Sequence, residues 1–402
     1  MKAVVDRGAL VLLLLGTLGI STAYGMLLLL PIYITEIGGH ESDFGIVSAA
    51  GAITSAFAIG FLVRYPSRFA PQHVLAATGL MYGLTAFGVS FLHSMGIVMI
   101  GLGVVLGTAW AMAYTSAPMV ISAVVGDEVR GKYIGYVTGM IQVGFGLGPI
   151  VGNALLHAGM SFNSIFRIAA LVSAVAAVSA MMLGTRLPEL SRLPDGAQAD
   201  DAPLWNSLRK ILRSPAAVPL LAILLGACLF TTMNSFQGTF ANNQGMNFDI
   251  FYGSYTIAVI VARFVLVRWI PDPTSSRVLR ASTAGIVVSV LAFLAVGSNS
   301  LLYGTASTLL GITYGLALPA AQARAVNLSP PEFRTRMLPL AGLSFETAIL
   351  AFPLVSGFVI KNFGYTIMFV MLLVFAVLLA LTGFLQRTDQ YSPPRQVSAL
   401  DG

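Results

Sequence analysis

The sequence predicts an all-α membrane protein with twelve transmembrane helices arranged as two six-helix halves. Hydrophobic residues make up 56% of the 402 residues and charged residues only 9%, whereas an ordinary soluble domain has roughly 25% charged residues. Apolar runs close to the length of one membrane crossing, about 20 residues, recur along the chain with short basic clusters between them. In addition, segments of the first half recur in the second half at a constant offset.

The first half, residues 1–184, contains six predicted crossings. Four are placed at residues 9–34, 44–62, 126–153 and 165–183. Two more fit into residues 69–126, a run without Asp, Glu, Lys or Arg that turns near residues 93–96. Residues 185–214 follow with many charges and three prolines, a composition typical of a hydrophilic linker.

The second half, residues 215–386, also contains six predicted crossings. They are placed at residues 218–242, 251–269, 281–296, 301–318, 338–360 and 365–385. Residues 387–402 form a polar tail. The linker and the tail are both expected on the cytoplasmic side of the membrane.

The distribution of basic residues predicts the orientation in the membrane. If the N-terminus is inside, 20 of the 22 Lys and Arg residues fall on the inner side, and only Arg167 and Lys361 fall outside. Cytoplasmic loops carry such an excess of basic residues. We therefore expect a bacterial-type inner (plasma) membrane protein with both termini in the cytoplasm.

The net charge of +6 does not indicate a nucleic-acid-binding protein, because the basic residues are scattered between apolar runs and do not form one basic face. The single cysteine, Cys228, allows no disulfide framework and no CxxC metal site. No GxxxxGK[ST] loop for ATP is present. We expect no cofactor and no metal site, a monomer in the lipid bilayer, and a gradient of protons or another ion as the source of energy.

Residues 126–153, GDEVRGKYIGYVTGMIQVGFGLGPIVGN, are the most informative stretch. Gly144, Gly148 and Gly152 recur every four residues, so they lie on one helix face where another helix can approach closely. Pro149 lies beside them and is tolerated in a membrane helix when neighbours satisfy the freed carbonyl. The stretch predicts a charged membrane edge followed by a tightly packed transmembrane helix.

This stretch resembles the major facilitator superfamily of secondary transporters. The resemblance lies in the acidic-x-Arg-Gly-Lys turn at Arg130 and in the GxxxGPxxG pattern that follows it, which is similar to the antiporter motif of that family. It implies the twelve-helix fold and alternating access. The turn after the second crossing keeps the Arg68 of the family gate but has Ser67 in place of the aspartate, so an ion-pair latch on the inner face is expected to be weakened.

An offset of 204 residues superimposes the two halves. It places the turn 128–132 on the turn 332–336, Arg130 on Arg334, and Pro149 on Pro353. Basic turns alone could recur by chance, but the coincident prolines support tandem halves. In transporters with parallel repeats, the substrate site lies near the bilayer midplane between the halves.

Polar residues within the predicted crossings are the candidate site residues. An ionisable group in hydrocarbon is costly unless it is paired or wet, so Glu346 is the first candidate for coupling or substrate binding; a structural hydrogen bond is the alternative. Gln142 occupies the equivalent position in the first half. Arg263 could reach the cavity or extend to the headgroups. Further candidate contacts are hydrogen-bonding and aromatic residues that could equally serve packing: Tyr24, Trp110, Tyr114, Asn234, Gln237, Tyr255 and Tyr314.

The substrate is predicted only from resemblance. The stretch TTMNSFQGTFANNQGMN at residues 231–247 is similar to the CcoA-like branch of copper importers, but Met233 is followed four residues later by Gln237 and not by Met. Relatives of that branch include riboflavin importers, so uptake of a flavin-like vitamin is the first expectation. Drug or metabolite efflux, which the antiporter-like motif favours, and copper import remain alternatives. An enzyme is disfavoured, because no cluster of His, Cys or carboxylate residues is apparent.

Overall fold

The structure is a computed structural model that describes residues 7–64, 70–124, 127–186, 210–272, 275–329 and 334–385. The first half contains α1 (Arg7–Leu27), α2 (Leu30–Glu36), α3 (Glu41–Arg64), α4 (Pro71–Val89), α5 (Ile97–Val124), α6 (Asp127–His157) and α7 (Phe162–Arg186). The first predicted crossing is therefore broken between α1 and α2. Pro31 lies at the start of α2 and lacks the amide hydrogen that would continue the helix.

The second half contains α8 (Ala217–Asn243), α9 (Asp249–Phe264), α10 (Ser276–Leu294), α11 (Ser300–Asn327) and α12 (Arg334–Leu385). A 3-10 turn, Leu266–Trp269, extends α9. Gly364 (φ 80°, ψ 175°) divides α12 into two arms, as the sequence predicts for the last two crossings. In contrast, α11 continues nine residues beyond its predicted end, so the buried Arg324 belongs to its last turn.

The structure confirms the all-helical fold with twelve crossings. In the described part of the chain, nine segments are long and apolar enough to span a membrane. One of them, Ser344–Leu385, contains both arms of α12. The remaining two crossings are α4 and α5, of which residues 97–113 are recognised as a shorter apolar helix.

The helices pack as two groups with the same arrangement. In the first group α1 packs on α6 and α7, and α3 packs on α5. In the second group α8 packs on α12, and α9 packs on α11. The two groups meet mainly where α3 contacts α12 and where α6 contacts α9. This pattern is the one that the 204-residue repeat predicts; the domain boundaries at residues 184 and 214 stay a prediction, because residues 187–209 lie outside the described part.

The glycines of α6 pack against α1 within the first half. A Cβ atom on Gly144 would overlap with Ser21 and the backbone of Thr22, and one on Gly148 would overlap with the backbone of Gly25. On the adjacent face of α6, a Cβ atom on Gly146 would overlap with the side chain of Thr256 on α9, in the other half. The repeating glycines therefore hold one half together, whereas Gly146, which the repeat of four does not include, makes a close contact between α6 and the other half.

Candidate functional site

Glu346 lies on the first arm of α12 and is 1% exposed. Neither of its carboxyl oxygens has a hydrogen-bond partner among the described residues. It lies close enough to interact electrostatically with the hydroxyl groups of two residues of the other half, Tyr24 on α1 and Tyr82 on α4. Glu346 therefore lies on a part of α12 that is near the first half.

An aromatic cluster from the first half surrounds Tyr24. The ring centroid of Tyr24 lies 4.4 Å from that of Trp110 on α5 and 5.0 Å from that of Phe145 on α6. Trp110 and Phe145 are stacked at 5.4 Å. The indole nitrogen of Trp110 is buried and donates no hydrogen bond within the described structure. These three residues, Tyr24, Trp110 and Phe145, are called the N-cluster below.

A second aromatic cluster comes from the other half. Phe230 on α8 stacks on Tyr314 of α11 with ring centroids 5.3 Å apart, and lies 6.0 Å from Phe345 of α12. Phe345 directly precedes Glu346 in the chain. Phe230, Tyr314 and Phe345 are called the C-cluster below.

The internal repeat relates one residue of each cluster and the helices that carry the clusters. Trp110 and Tyr314 are 204 residues apart, the offset that superimposes the halves. The N-cluster is carried by α1, α5 and α6, and the C-cluster by their equivalents α8, α11 and α12. The sequence had indicated Tyr24, Trp110 and Tyr314 but not Phe145, Phe230, Phe345 or Tyr82. Two of these residues could have been found from their places in the sequence, because Phe345 is next to Glu346 and Phe145 is three residues after Gln142.

The amide residues of α8 are bound mainly within their own half. The Asn234 side-chain nitrogen donates to the Phe230 carbonyl at 2.9 Å, and the Gln237 side-chain nitrogen contacts the Met233 sulfur at 3.0 Å. The backbone carbonyl of Asn234 accepts from the Tyr252 hydroxyl at 2.6 Å. Of the two amide side chains, that of Gln237 has an oxygen that is buried without a donor among the described residues. In the first half, Gln142 is also buried.

Tyr255 and Arg263 form a separate polar group on α9. Tyr255 is buried, and its hydroxyl group lies near the Asn234 side chain of α8 without meeting the geometry of a hydrogen bond to any described residue. It interacts electrostatically with Arg263, which is partly exposed and whose Nε is buried without an acceptor in the same part of the chain. Arg263 and Glu346 do not form an ion pair in this conformation, since the carboxyl oxygens of Glu346 have no such partner.

Several sequence candidates lie outside what the structure describes. Arg68 falls in residues 65–69. For Tyr114, Arg130 and Arg334 only the backbone is described, within α5, α6 and α12. Pro149 and Pro353 are buried in their helices, and the backbone of residues 353–354 lies where a Cβ atom on Gly45 of α3 would be. Among the described residues, no group of three His, Cys, Asp or Glu side chains could hold a metal ion.

Polar contacts also join the halves at the end of the bundle opposite the chain termini, called the far end below. The Asn153 side chain at the end of α6 donates to Asp249 at 2.6 Å and to Asn247 at 3.0 Å. On the other side, the Tyr365 hydroxyl donates to Glu41 at 2.9 Å. Beside the Asn153 contact lies a cavity of about 480 Å³ that is lined by residues of both halves, among them Glu36, His157 and Asn242.

Twelve apolar helices in two similarly packed halves, with a buried carboxyl group on α12, have the architecture of a membrane transporter rather than an enzyme. The chain matches the family model of the Major Facilitator Superfamily over residues 11–303 and 274–401. It belongs to that superfamily.

Known proteins resemble the chain to different extents. The quinolone resistance protein NorA of Staphylococcus aureus (strain MRSA252) is 22% identical over 214 residues, which are 53% of this chain and 54% of NorA; the match thus spans about half of that relative. A bacterial homologue of the human lysosomal transporter Spinster, in an inward-facing and unoccupied conformation, has a TM-score of 0.72 at 14% identity over 94% of this chain and 96% of its own. The nucleoside transporter NupG has a TM-score of 0.72 at 16% identity, over 95% of this chain and 99% of its own. These structures show the shared fold.

Proposed function

We propose that this protein is a proton-coupled secondary transporter that moves a small solute across the inner membrane by alternating access, with Glu346 as the proton-carrying group. The observation that carries the proposal is the position of Glu346, which is buried at the interface of the halves with both carboxyl oxygens unpartnered in the described structure. Burying an ionised carboxylate without compensating partners is costly, so Glu346 is neutral in this conformation. When the halves rock and water reaches the site, the carboxyl group releases its proton.

The proposed transporter is a monomer with both termini in the cytoplasm. The basic residues favour both termini in the cytoplasm. Glu346 and both aromatic clusters are supplied by one chain, which supports a functional monomer. Arg263, whose Nε is buried without an acceptor in the described part, is a second candidate for coupling, as an anion partner in another conformation.

Two directions of transport are each supported by one observation. The resemblance of residues 231–247 to the CcoA-like branch supports uptake of riboflavin. The similarity to NorA, whose name describes resistance to quinolones, supports export of aromatic compounds. Copper import has less support, because His40, His73, His93 and His157 are spread over separate turns and helix ends.

The coupling role is tested by reconstituting the protein in liposomes and measuring ethidium and riboflavin movement with an imposed pH gradient. Glu346→Gln keeps the size and hydrogen bonding of a neutral carboxyl group but cannot release a proton. We expect it to abolish gradient-driven accumulation while solute exchange without a gradient continues. Asp272→Asn, an exposed acid near the 3-10 turn that follows α9, is the matched control and should behave like the parent. Gradient-driven transport by Glu346→Gln with an unchanged pH profile would contradict the proposal.

A further inference from the structure

The helix α9 carries two donor groups that have no acceptor in the described structure. From their positions we propose that Arg263 and Tyr255 bind the carboxylate of an aromatic, monoanionic solute whose ring lies against Phe230 of α8. The proposal rests on the proposed function for the existence of a transported solute, but it does not involve the carboxyl group of Glu346. It assigns a charge to the solute, which neither the fold nor the superfamily does.

Arg263 lies on the side of α9 that faces into the bundle and not towards lipid. Ile257, Val261 and Val265 are exposed and recur every four residues, so they form the lipid-facing stripe of this helix. Arg263 lies two residues from Val261 and from Val265, and a rotation of about 100° per residue places it on the opposite side. The residue is nevertheless partly exposed. Its side chain therefore borders a space inside the bundle.

Arg263 also lies near the depth of the predicted central site. The ring of Phe264, the next residue, lies where a Cβ atom on Gly139 of α6 would be. Gln142, which the repeat equates with Glu346, is three residues further along α6, or about 4.5 Å along the helix axis. The space that Arg263 borders is therefore inside the membrane-spanning part of the bundle.

Tyr255 and Arg263 provide donors without acceptors. The hydroxyl group of Tyr255, which is 2% exposed, has no hydrogen-bond partner among the described residues, and neither has the buried Nε of Arg263. The two groups are close enough to interact electrostatically but do not hydrogen-bond to each other. Buried polar groups in folded proteins nearly always have a partner. A ligand with an acceptor group would supply the partner that both donors lack.

Phe230 supplies an apolar surface next to these donors. Among residues 225–241 of α8, Phe230 is the only one that is not buried. A partly exposed ring on a segment that is otherwise enclosed by protein borders an internal space and not lipid. Its centroid lies 6.5 Å from that of Tyr255, and the ring stacks on Tyr314. Aromatic rings favour offset stacking, so the ring of the solute is expected at Phe230, with its acidic group towards Arg263.

The charge of the site matches one carboxylate. A guanidinium group can bind a carboxylate through two parallel hydrogen bonds, and Arg263 is the only charged group among the described residues that interacts with Tyr255. One positive charge compensates one negative charge. A dianionic phosphate would leave a charge uncompensated in a largely apolar surrounding, which is costly, and a cation would be repelled.

Binding is measured on the purified full-length protein in detergent, without a gradient. Radiolabelled naphthoate is the probe in a scintillation proximity assay, and three unlabelled compounds compete with it. Naphthamide has the same rings without the charge, cyclohexanecarboxylate has the charge without an aromatic ring, and naphthyl phosphate has a second negative charge. We expect each of them to bind at least about tenfold more weakly than naphthoate. Competition by naphthamide as strong as that by unlabelled naphthoate would overturn the proposal.

Variants locate the carboxylate and the ring. Arg263→Gln and Tyr255→Phe, which keeps the ring that stacks on Phe251, should each weaken naphthoate binding by about tenfold. The weaker binding of labelled naphthamide should stay unchanged, which also shows that the variants are folded. Phe230→Ala should abolish the preference for naphthoate over cyclohexanecarboxylate. Arg268→Gln removes the same charge at an exposed residue of the 3-10 turn and should bind like the parent.

The carboxylate site and the proposed coupling role can fail separately. Equal losses of naphthoate binding in Arg263→Gln and Arg268→Gln, or no loss in Arg263→Gln, would overturn the carboxylate site even if Glu346→Gln abolishes gradient-driven accumulation. Conversely, naphthoate binding that requires Arg263, combined with normal gradient-driven transport by Glu346→Gln, would support the carboxylate site and refute the coupling role alone.

Discussion

Asn153 of α6 and Asp249 of α9 are joined by a 2.6 Å hydrogen bond that connects the two halves at the far end. The same amide group also donates to Asn247. Hydrogen bonds to charged groups contribute about 1.5–3 kcal/mol. In the present conformation these contacts hold the halves together at the far end. We predict that Asn153→Ala destabilises this conformation, relative to one in which the far end is open, by roughly that free energy.

The shift can be measured as a distance between spin labels. Ala158→Cys in the first half and Asn243→Cys in the second are exposed positions on opposite sides of the contact, and the buried Cys228 is replaced by Ser in all samples. Asn153→Ala should increase the population with a long distance. Ser161→Ala is the control, because the Ser161 hydroxyl group bonds to Ser164 within the same half and its carbonyl oxygen, which also accepts within that half, is retained. An unchanged distance distribution for Asn153→Ala would show that the contact does not hold the halves.

Tyr365 and Glu41 form the second polar contact of the far end. Tyr365→Phe removes the donor and keeps the ring, which packs 5.5 Å from Phe240. We expect a shift in the same direction as for Asn153→Ala. The shift should be smaller, about 1 kcal/mol in total, because Tyr365→Phe removes one hydrogen bond whereas Asn153→Ala removes two. Because the two contacts share no residue, the double variant should show an additive shift, measured with the same pair of labels. A strongly non-additive shift would mean that the two contacts are energetically coupled.

Much of the fold was predictable because the bilayer imposes strong rules on the chain. Apolar length and basic turns predicted all twelve crossings, and the 204-residue repeat predicted that the halves have the same helix arrangement. The break after Leu27 was not predicted, because a proline such as Pro31 is tolerated in many membrane helices. Conversely, the predicted crossing at residues 301–318 ended before Pro319, whereas α11 tolerates this proline and continues to Asn327.

The site was predictable only where its residues are rare. Glu346 stands out because charged residues are scarce within membrane helices. Phe145, Phe230 and Phe345 do not stand out among 24 phenylalanines, because an apolar ring suits lipid, core and ligand equally well. Which face of a helix meets the other half depends on packing between distant segments. Gly146 illustrates this dependence, since it contacts Thr256 on α9, more than 100 positions later in the chain.

Gly107 is predicted to be essential for the packing of α5 on α3. A Cβ atom there would overlap with the backbone of Gly51, and a backbone cannot rotate away as a side chain can. Overpacking of this kind costs about 1–3 kcal/mol, so Gly107→Ala should lower the melting temperature of the detergent-solubilised protein. The Cβ atom that Gly101→Ala adds on the same helix meets no heavy atom within 4 Å. This substitution should therefore leave the melting temperature unchanged or slightly raised. Equal effects of the two substitutions would contradict the close approach of α3 and α5.

Gly148 and Gly146 lie two residues apart on α6 but should respond differently to the same substitution. Gly148→Ala adds a methyl group against the backbone of Gly25 within the first half, so it disrupts the half itself and should lower the melting temperature. Gly146→Ala adds its methyl group against Thr256 of the other half. Rocking of the halves relieves this overlap, so we expect a shift towards the long distance between the labels at residues 158 and 243, with a smaller loss of stability.

The companion variant Thr256→Gly distinguishes a conformational effect from misfolding. It removes all three atoms that the new methyl group of Gly146→Ala would meet, the Oγ1, Cγ2 and Cβ atoms of Thr256. Combining the two substitutions should therefore restore the parental distance distribution, whereas Thr256→Gly should not restore the melting temperature of Gly148→Ala. Failure of the double variant to recover would show that Gly146 acts through its own helix and not through the contact with α9. Recovery would identify the α6–α9 contact, and not the glycine repeat facing α1, as the element of residues 126–153 that controls the movement of the halves.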